Sequence, residues 1–210
     1  MSAILLILLI VVALGVMAAL WFFSRPKEAT GEFNRSKDRP MTIKNVEPGG
    51  VLTLKGVGEN IEDFEIVITG KHLYQEDGFE WFELEGERGA EKVWIEVEDD
   101  DELSVSLTVK KMKLSQIGLN PDEVARIEKA DEGEISYEGR SYEFDDWGEA
   151  MFYRNGARAQ GERFKYWDFE SEDGLHSLTI EQWAGARMEA FLSENIRPAQ
   201  IDIFSLDGKA

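Results

Sequence analysis

The two histidines, His72 and His176, are the first residues to test as metal ligands or general bases. They lie far apart in the chain, and no His-x-x-His or His-Glu-x-x-His spacing is present. Each sits in a strand-like segment, which favours an ordinary strand position. The acidic run Asp99–Glu102 lacks the spaced oxygen ligands and central glycine of a calcium loop, which favours a solvated hairpin tip. The sequence thus predicts no metal site.

Catalytic motifs are missing as well. Gly56-Val57-Gly58 lacks the third glycine, the Lys-Ser/Thr pair and the following helix of a nucleotide-binding loop. No Gly-x-Ser-x-Gly elbow supports serine catalysis, and a chain without cysteine has no thiolate nucleophile. Nothing in the spacing of the 42 acidic residues singles out a pair for glycoside hydrolysis. The sequence predicts no catalytic residue and no cofactor, and it leaves paired carboxylates open.

Tryptophans are the remaining candidates for a binding surface. Such side chains concentrate binding energy in ligand grooves and protein interfaces, but they also fill the space between sheet faces. Trp94 lies between Val93 and Ile95 in an alternating segment, so it is predicted on the opposite face of its strand. Trp167 occupies nearly the same place in a similar segment. We therefore predict that Trp94 and Trp167 form a candidate binding face.

The stretch from Ala3 to Phe23 contains no charged residue, and its character decides where in the cell the rest of the chain is held. At ~1.5 Å per residue, a helix of this length covers roughly 30 Å, the thickness of a bilayer's hydrocarbon core. A secretory signal peptide would have a basic start and a shorter apolar core, and a buried helix of a soluble domain is seldom apolar all round. Residues 1–24 are therefore predicted to be a transmembrane anchor, represented by Ala3, Leu9, Gly15, Leu20, Trp21, Phe22 and Phe23.

Basic residues follow this span and none precedes it. Arg25 and Lys27 are the nearest, and Lys and Arg are enriched on the cytoplasmic side of membrane spans. We therefore expect a single-pass protein of the inner (plasma) membrane with its C-terminal domain in the cytoplasm. Residues 25–45 are polar and contain prolines and a glycine, as is typical of a linker.

The chain is strongly acidic, because 23 Lys and Arg stand against 42 Asp and Glu, for a formal net charge of −19. Phosphate backbones are bound by basic surfaces, so the composition argues against a nucleic acid partner. It also argues against a domain that lies flat on anionic lipid. The predicted partners are the membrane and another membrane-associated protein, and a small-molecule ligand stays undefined.

Residues 46–206 alternate apolar and polar side chains between glycine-containing turns. This period of two predicts antiparallel strands with apolar side chains inward and polar side chains outward. The predicted fold class is mainly β, an antiparallel meander that forms a sandwich or a barrel-like domain, followed by a tail at 207–210. Asn120, Pro121 and Glu123 carry the signals of a helix start, which predicts one short helix ending near Lys129.

An internal echo divides this β-rich domain. Trp94-Ile95-Glu96-Val97 is similar to Tyr166-Trp167-Asp168-Phe169, and acidic turns follow both segments. The echo predicts two related halves, at about 48–118 and 131–206, with the short helix at their junction. Chance similarity between alternating strands is the alternative explanation.

Several aromatic strand segments carry a family resemblance. They are Gly139-Arg140-Ser141-Tyr142, Tyr166-Trp167-Asp168-Phe169 and Leu178-Thr179-Ile180-Glu181-Gln182-Trp183, with Trp81-Phe82-Glu83-Leu84 and Trp94-Ile95-Glu96 in the first half. Over about residues 48–205 the chain resembles the family called domain of unknown function 4178, as a membrane-anchored member. The resemblance implies a bacterial, mostly-β domain, joined in some members to a membrane span, and it brings no catalytic residues. Relatives tend to occur beside phage-shock-type membrane-stress proteins, which describes neighbourhood and not mechanism.

Two functions from different classes remain open. The first is a non-enzymatic adaptor or sensor, in which the anchor localises an acidic β-domain that supplies a binding face, with envelope stress suggested by the resemblance alone. The second is a hydrolase or small-ligand-binding enzyme that uses acidic residues in a β-sheet cleft. A shallow exposed aromatic patch would favour the first, and a deep pocket with two or more convergent carboxylates would favour the second.

Overall fold

The domain consists of antiparallel strands and one short α-helix, in a computed structural model that describes residues 39–58, 61–185 and 187–208. The first strands are β1 (Val51–Val57), β2 (Glu62–Glu76), β3 (Phe79–Arg88), β4 (Glu91–Asp99) and β5 (Leu103–Lys113). Helix α1 (Pro121–Ala130) follows, and the later strands are β6 (Glu134–Tyr137), β7 (Arg140–Tyr153), β8 (Gly161–Ser171), β9 (His176–Trp183), β10 (Glu189–Asn195) and β11 (Ile201–Ser205). Short 3-10 turns lie at Ile43–Asn45, Leu114–Ile117, Arg154–Gly156, Arg158–Gln160 and Pro198–Gln200. The predicted mainly-β antiparallel fold with one helix is confirmed for these residues.

Eight of the strands close into a barrel. The sheet order is β11-β1-β2-β3-β4-β5-β10-β9-β8-β7-β6, and β2 additionally pairs with β7. This last pairing joins Leu73–Gln75 to Met151–Tyr153. The ring is therefore β2-β3-β4-β5-β10-β9-β8-β7, and of the predicted architectures the barrel-like one is observed. A barrel of this strand number encloses space for side chains or for one small ligand.

Two apolar cores lie outside the ring. In the first, Ile66 and Ile95 of the wall pack in one cluster with Leu52 and Leu54 of β1. In the second, the wall residues of β8, β9 and β10 pack in one cluster with Val124 of α1. Because these flanking elements cover the apolar faces of the strands, the polar faces line the inside of the barrel. The predicted alternation is present, but the polar side faces an enclosed lumen instead of bulk solvent.

Local signals place the helix and the hairpins. The Asn120 side chain accepts hydrogen bonds from the backbone N–H groups of Asp122 and Glu123, at 3.0 and 3.1 Å. In return the Glu123 carboxylate accepts the Asn120 backbone N–H at 2.8 Å, which completes the predicted capping box. Asp77 and Gly78, with φ of 44° and 94°, form the tight turn between β2 and β3.

The predicted anchor lies outside the described residues, as do all its named positions from Ala3 to Phe23 and the orientation residues Arg25 and Lys27. Within the part of the chain that the structure describes, no helix has the length and hydrophobicity needed to cross a bilayer. Part of the range predicted as linker is folded, because Ile43 is buried in the first core.

Candidate functional site

Two joined chambers occupy the lumen of the barrel. The larger has a volume of about 400 Å³ and the smaller about 110 Å³. Tyr74, Glu96, Thr179 and Glu181 line both chambers, so these four residues mark the waist between them. The larger chamber is in the size range of small-molecule sites.

Acidic side chains reach the lumen because they alternate with apolar residues along the wall strands. On β4, Trp94, Glu96 and Glu98 face the lumen, whereas Ile95 joins the outer core. Glu83 of β3 lies directly opposite Glu96 in the strand register and also lines the larger chamber. Like charges directly opposite each other destabilise an antiparallel pair. The barrel thus carries an unfavourable acidic pair on its inner surface.

Three of the lumen carboxyl groups receive hydrogen bonds from neutral donors. The donors are the Tyr74 hydroxyl to Glu83 at 3.2 Å, the Trp183 indole N–H to Glu181 at 2.8 Å, and the Thr179 hydroxyl to Asp168 at 2.6 Å. Glu96 differs from these groups, because among the described residues its carboxyl group accepts no hydrogen bond and joins no ion pair. The charged groups that act on Glu96 are themselves acids, Glu98 and Asp168 foremost. Its side chain is enclosed by the wall, although part of its surface faces the lumen.

Burial raises the pKa values of these carboxyl groups. Removal from water, with repulsion from Glu181, raises the pKa of Glu83 to about 8 against the opposing Tyr74 hydrogen bond. Removal from water likewise raises the pKa of Asp168 to about 7 and holds the pKa of Glu96 well above its ordinary value. Around neutral pH the lumen therefore holds protonated carboxyl groups. A bound cation would favour their ionised forms.

Aromatic rings form much of the remaining lining. The Trp183 ring stacks on Phe164 with centroids 4.7 Å apart and meets Phe152 edge-on at 5.2 Å. Tyr74 stacks on Trp81 at 5.3 Å. Mutual contacts of this kind fix the rings, and the faces of such rings attract cations. The lumen thus offers carboxyl groups and π faces together.

Exposed charged residues line the solvent end of the larger chamber. Lys111 lies there and forms an ion pair with Glu189 at 2.7 Å. Arg154 lies there too, with its guanidinium 5.7 Å from the centroid of the Phe152 ring. Lys111 is therefore already paired with Glu189. The carboxyl group of Glu96, deeper in the barrel, forms an ion pair with neither Lys111 nor Arg154.

His72 stabilises the pairing between β2 and β7, which closes the barrel and is called the seam below. The residue is 1% exposed, its Nδ1 accepts the Asn155 backbone N–H at 3.1 Å, and its Nε2 lies 3.2 Å from a Glu85 carboxylate oxygen. Because Nδ1 accepts, the ring proton resides on Nε2 and is donated to Glu85. Burial lowers the pKa of His72, which keeps the ring neutral at physiological pH. The geometry gives His72 a structural position, as expected from its strand-like segment.

The structure separates the two tryptophans of the predicted binding face. Trp94 lines the larger chamber of the lumen. Trp167 is 2% exposed in the outer core beneath α1, where its indole N–H donates to Glu128 at 3.0 Å. A slip of one residue between similar strands sends a side chain to the other side of the wall. The shared motif therefore does not bring these rings to one surface.

Sequence reasoning missed the lumen acids, of which Glu83, Glu96, Glu181 and Asp168 are the clearest. Their signal was the strict alternation of acidic and apolar residues, which is equally typical of an open sheet that faces water. Among the described residues no group of three or more His, Cys, Asp or Glu side chains is placed to hold a metal ion. The acidic side chains therefore line the lumen as separate groups and not as one cluster of metal ligands.

Comparison with known proteins identifies the family. The family model described as Domain of unknown function (DUF4178) matches residues 60–198, which is more than half of the chain. The chain belongs to this family, as the resemblance predicted. The matched range runs from β2 to β10 and so contains every strand of the closed ring. No curated protein and no solved structure matches the chain.

Proposed function

We propose that the barrel binds a small organic cation in its lumen, as the ligand-binding part of a membrane-tethered sensor. The observation that carries this proposal is Glu96, a half-buried carboxyl group that faces the lumen, is surrounded by other acids and has no hydrogen-bond donor among the described residues. Burying such a group uncompensated costs stability. Unfavourable arrangements of this kind concentrate at functional sites. A positively charged ligand would turn the cost into a favourable interaction.

The lining also defines the class of ligand. Carboxylates and aromatic faces both attract cations, whereas an anion would gain nothing from the faces of the rings and would oppose ionisation of Glu83, Glu96 and Glu181. An organic ion suits a volume of about 400 Å³ and aromatic walls better than a bare metal ion does. The ligand is therefore expected to carry an ammonium group and an apolar surface.

Titration of the full-length chain in detergent tests this proposal. Choline and 3,3-dimethylbutan-1-ol have the same shape and differ in charge, and benzylamine with benzyl alcohol forms a second such pair. We expect binding of the cations and none of the alcohols, and Glu96→Gln should weaken cation binding by about tenfold or more. Glu65→Gln, on an exposed position of β2, is the matched control. Equal binding of cations and alcohols would refute the proposal.

An acid–base hydrolase is the second candidate, and Glu83 favours it. A pKa of about 8 keeps this carboxyl group protonated at neutral pH, as a general acid requires, and Glu181 supplies a second carboxyl group in the same chamber. A hydrolase converts its ligand, whereas a binding module returns it unchanged. Mass spectrometry of the bound compound after long incubation separates the two functions.

The membrane tether of the proposed sensor is supported by the sequence pattern of residues 3–23. With Arg25 and Lys27 on the cytoplasmic side, the barrel would lie at the inner face of the plasma membrane, within reach of a membrane-associated partner protein. A role in envelope stress is supported by the family resemblance alone.

A single introduced cysteine tests the orientation. The chain has no cysteine, and Phe204 on β11 is 63% exposed. Phe204→Cys should resist an impermeant maleimide in intact cells and react after lysis. Labelling in intact cells would reverse the proposed orientation.

A further inference from the structure

We infer that the lumen is shaped for a linear aliphatic polyamine, whose successive ammonium groups lie at two levels along the barrel. This inference rests on the proposed function and names the class of cation within it. It follows from the spacing of the carboxyl groups, the width of the lumen and the position of the rings.

The acids occupy two levels. Glu96 and Glu98 are consecutive lumen-facing residues of β4, and two residues of antiparallel strand advance about 6.8 Å. On the other side of the barrel, Glu181 is in register with Tyr166, and Asp168 is in register with Thr179, one lumen-facing position further along. The same step of two residues therefore separates the acids on both sides.

The lining of the two chambers identifies which acids share a level. Glu96 and Glu181 line both chambers, and Glu83, directly opposite Glu96 in the strand register, lines only the larger one. Glu98 and Asp168 line only the smaller chamber. The first level therefore contains Glu83, Glu96 and Glu181, and the second contains Glu98 and Asp168.

The spacing suits amines joined by short methylene chains. Two ammonium groups separated by three or four methylenes lie roughly 5–6 Å apart when extended, which is close to the rise between the two levels of a tilted strand. A shorter spacer would leave one level unoccupied, and a longer one would have to fold. Each ammonium group carries hydrogen-bond donors, and Glu96 accepts no hydrogen bond from the described residues.

The size of the smaller chamber favours a slender end group at the second level. This chamber has about 110 Å³ against about 400 Å³ for the larger one, so an alkylammonium end fits it more readily than a bulkier group. Tyr74 and Trp183 line the larger chamber, and Tyr74 and Phe164 line the smaller, so rings flank the path of the methylenes.

Calorimetry of the full-length chain with α,ω-diamines from ethane to octane, butylamine and spermidine tests the inference. We expect affinity to peak at three- to four-carbon spacers, with the diamines at least about tenfold tighter than butylamine and spermidine tighter still. Glu98→Gln and Asp168→Asn should abolish the advantage of diamines over butylamine, whereas Glu96→Gln should weaken every amine. Glu65→Gln is the control for the loss of one acid outside the lumen.

The outcomes separate the inference from the proposed function. If choline and butylamine bind but diamines bind no tighter at any length, the polyamine inference is overturned and cation binding stands. If no cation binds, both are overturned. Asp168 accepts the Thr179 hydroxyl, so Asp168→Asn is checked by thermal unfolding, and Glu98→Gln carries the test if that variant does not fold.

Discussion

Glu83 and Glu96 lie directly opposite each other on β3 and β4, and both side chains face the barrel lumen. A pair of acids in this register is unfavourable when both are ionised, and burial makes ionisation harder still. The barrel is therefore stable with these groups protonated, and a bound cation changes that balance. The stability and the binding of this domain are expected to be linked through protons.

The barrel domain should fold without the preceding segment. Residues 40–210 form one compact unit that contains strands β1 to β11 and both outer cores. A chain that starts at Pro40 is expected to be soluble and to unfold cooperatively, as followed by circular dichroism. Precipitation or a disordered spectrum would show that the domain depends on what precedes it.

Glu96→Gln should stabilise the isolated domain. At pH 8 Glu96 is ionised in the unfolded chain, and folding has to protonate it or remove its charge from water. The amide has no such cost, so we expect the free energy of unfolding to rise by about 1 kcal/mol. Urea denaturation measures the change, and Glu65→Gln at an exposed site should shift it by less than about 0.5 kcal/mol. Loss of stability in Glu96→Gln would mean that the carboxyl group has a stabilising partner.

Stability should fall as the pH rises from about 5 to about 8. The pKa of Glu83 rises from 4.5 to about 8 on folding and that of Asp168 from 3.8 to about 7, so the folded state holds more protons over this window. A tenfold difference in proton affinity between the folded and unfolded states corresponds to about 1.4 kcal/mol. Glu83→Gln should flatten the slope in urea titrations at several pH values, and an unchanged slope would contradict the assignment.

His72 acts in the opposite direction in the acidic part of this window. Its pKa lies below the ordinary 6.5 in the folded state, so its contribution to stability is lost as the pH falls through 6.5. Glu85 adds to the same trend, because its hydrogen bond from Lys92 lowers its pKa. Maximum stability is therefore expected on the mildly acidic side of neutrality.

Cation binding should release protons. Because the cation favours the ionised forms of Glu83, Glu96 and Asp168, affinity is expected to increase between pH 6 and pH 8. Calorimetry at pH 7 in buffers of different ionisation enthalpy measures the number released. Binding heats that are the same in all buffers would show that these groups do not take part.

His72→Ala should weaken the seam of the barrel. The substitution removes the acceptor of the Asn155 N–H and a ring that lies 5.3 Å from Phe152, so we expect a loss of about 2–4 kcal/mol in urea denaturation. His176→Ala, at a half-buried position at the start of β9, is the control and should cost less. Equal losses in the two variants would argue against a special role for His72.

Local chemistry explains why part of the fold could be predicted. Asn120 and Glu123 form their capping box within three residues, and Asp77-Gly78 forms its turn within two, so no distant contact is needed. The lumen depends on a different kind of contact. Tyr74 pairs with Phe152 across the seam, far apart in the chain, and this pairing decides whether Glu96 faces water or an enclosed space. Alternation along one strand carries no information about that closure.

The shortness of the β2–β7 seam has a mechanical consequence. It joins Leu73–Gln75 to Met151–Tyr153, whereas the neighbouring β7–β8 ladder runs from Tyr142 to Tyr153. Tyr74 and Phe152 are paired in this short seam and also line the larger chamber. Opening of the barrel would therefore start at this seam. A ligand that packs against the side chains of Tyr74 and Phe152 would hold the two strands together. Barrels with and without ligand would then differ in their rate of local opening.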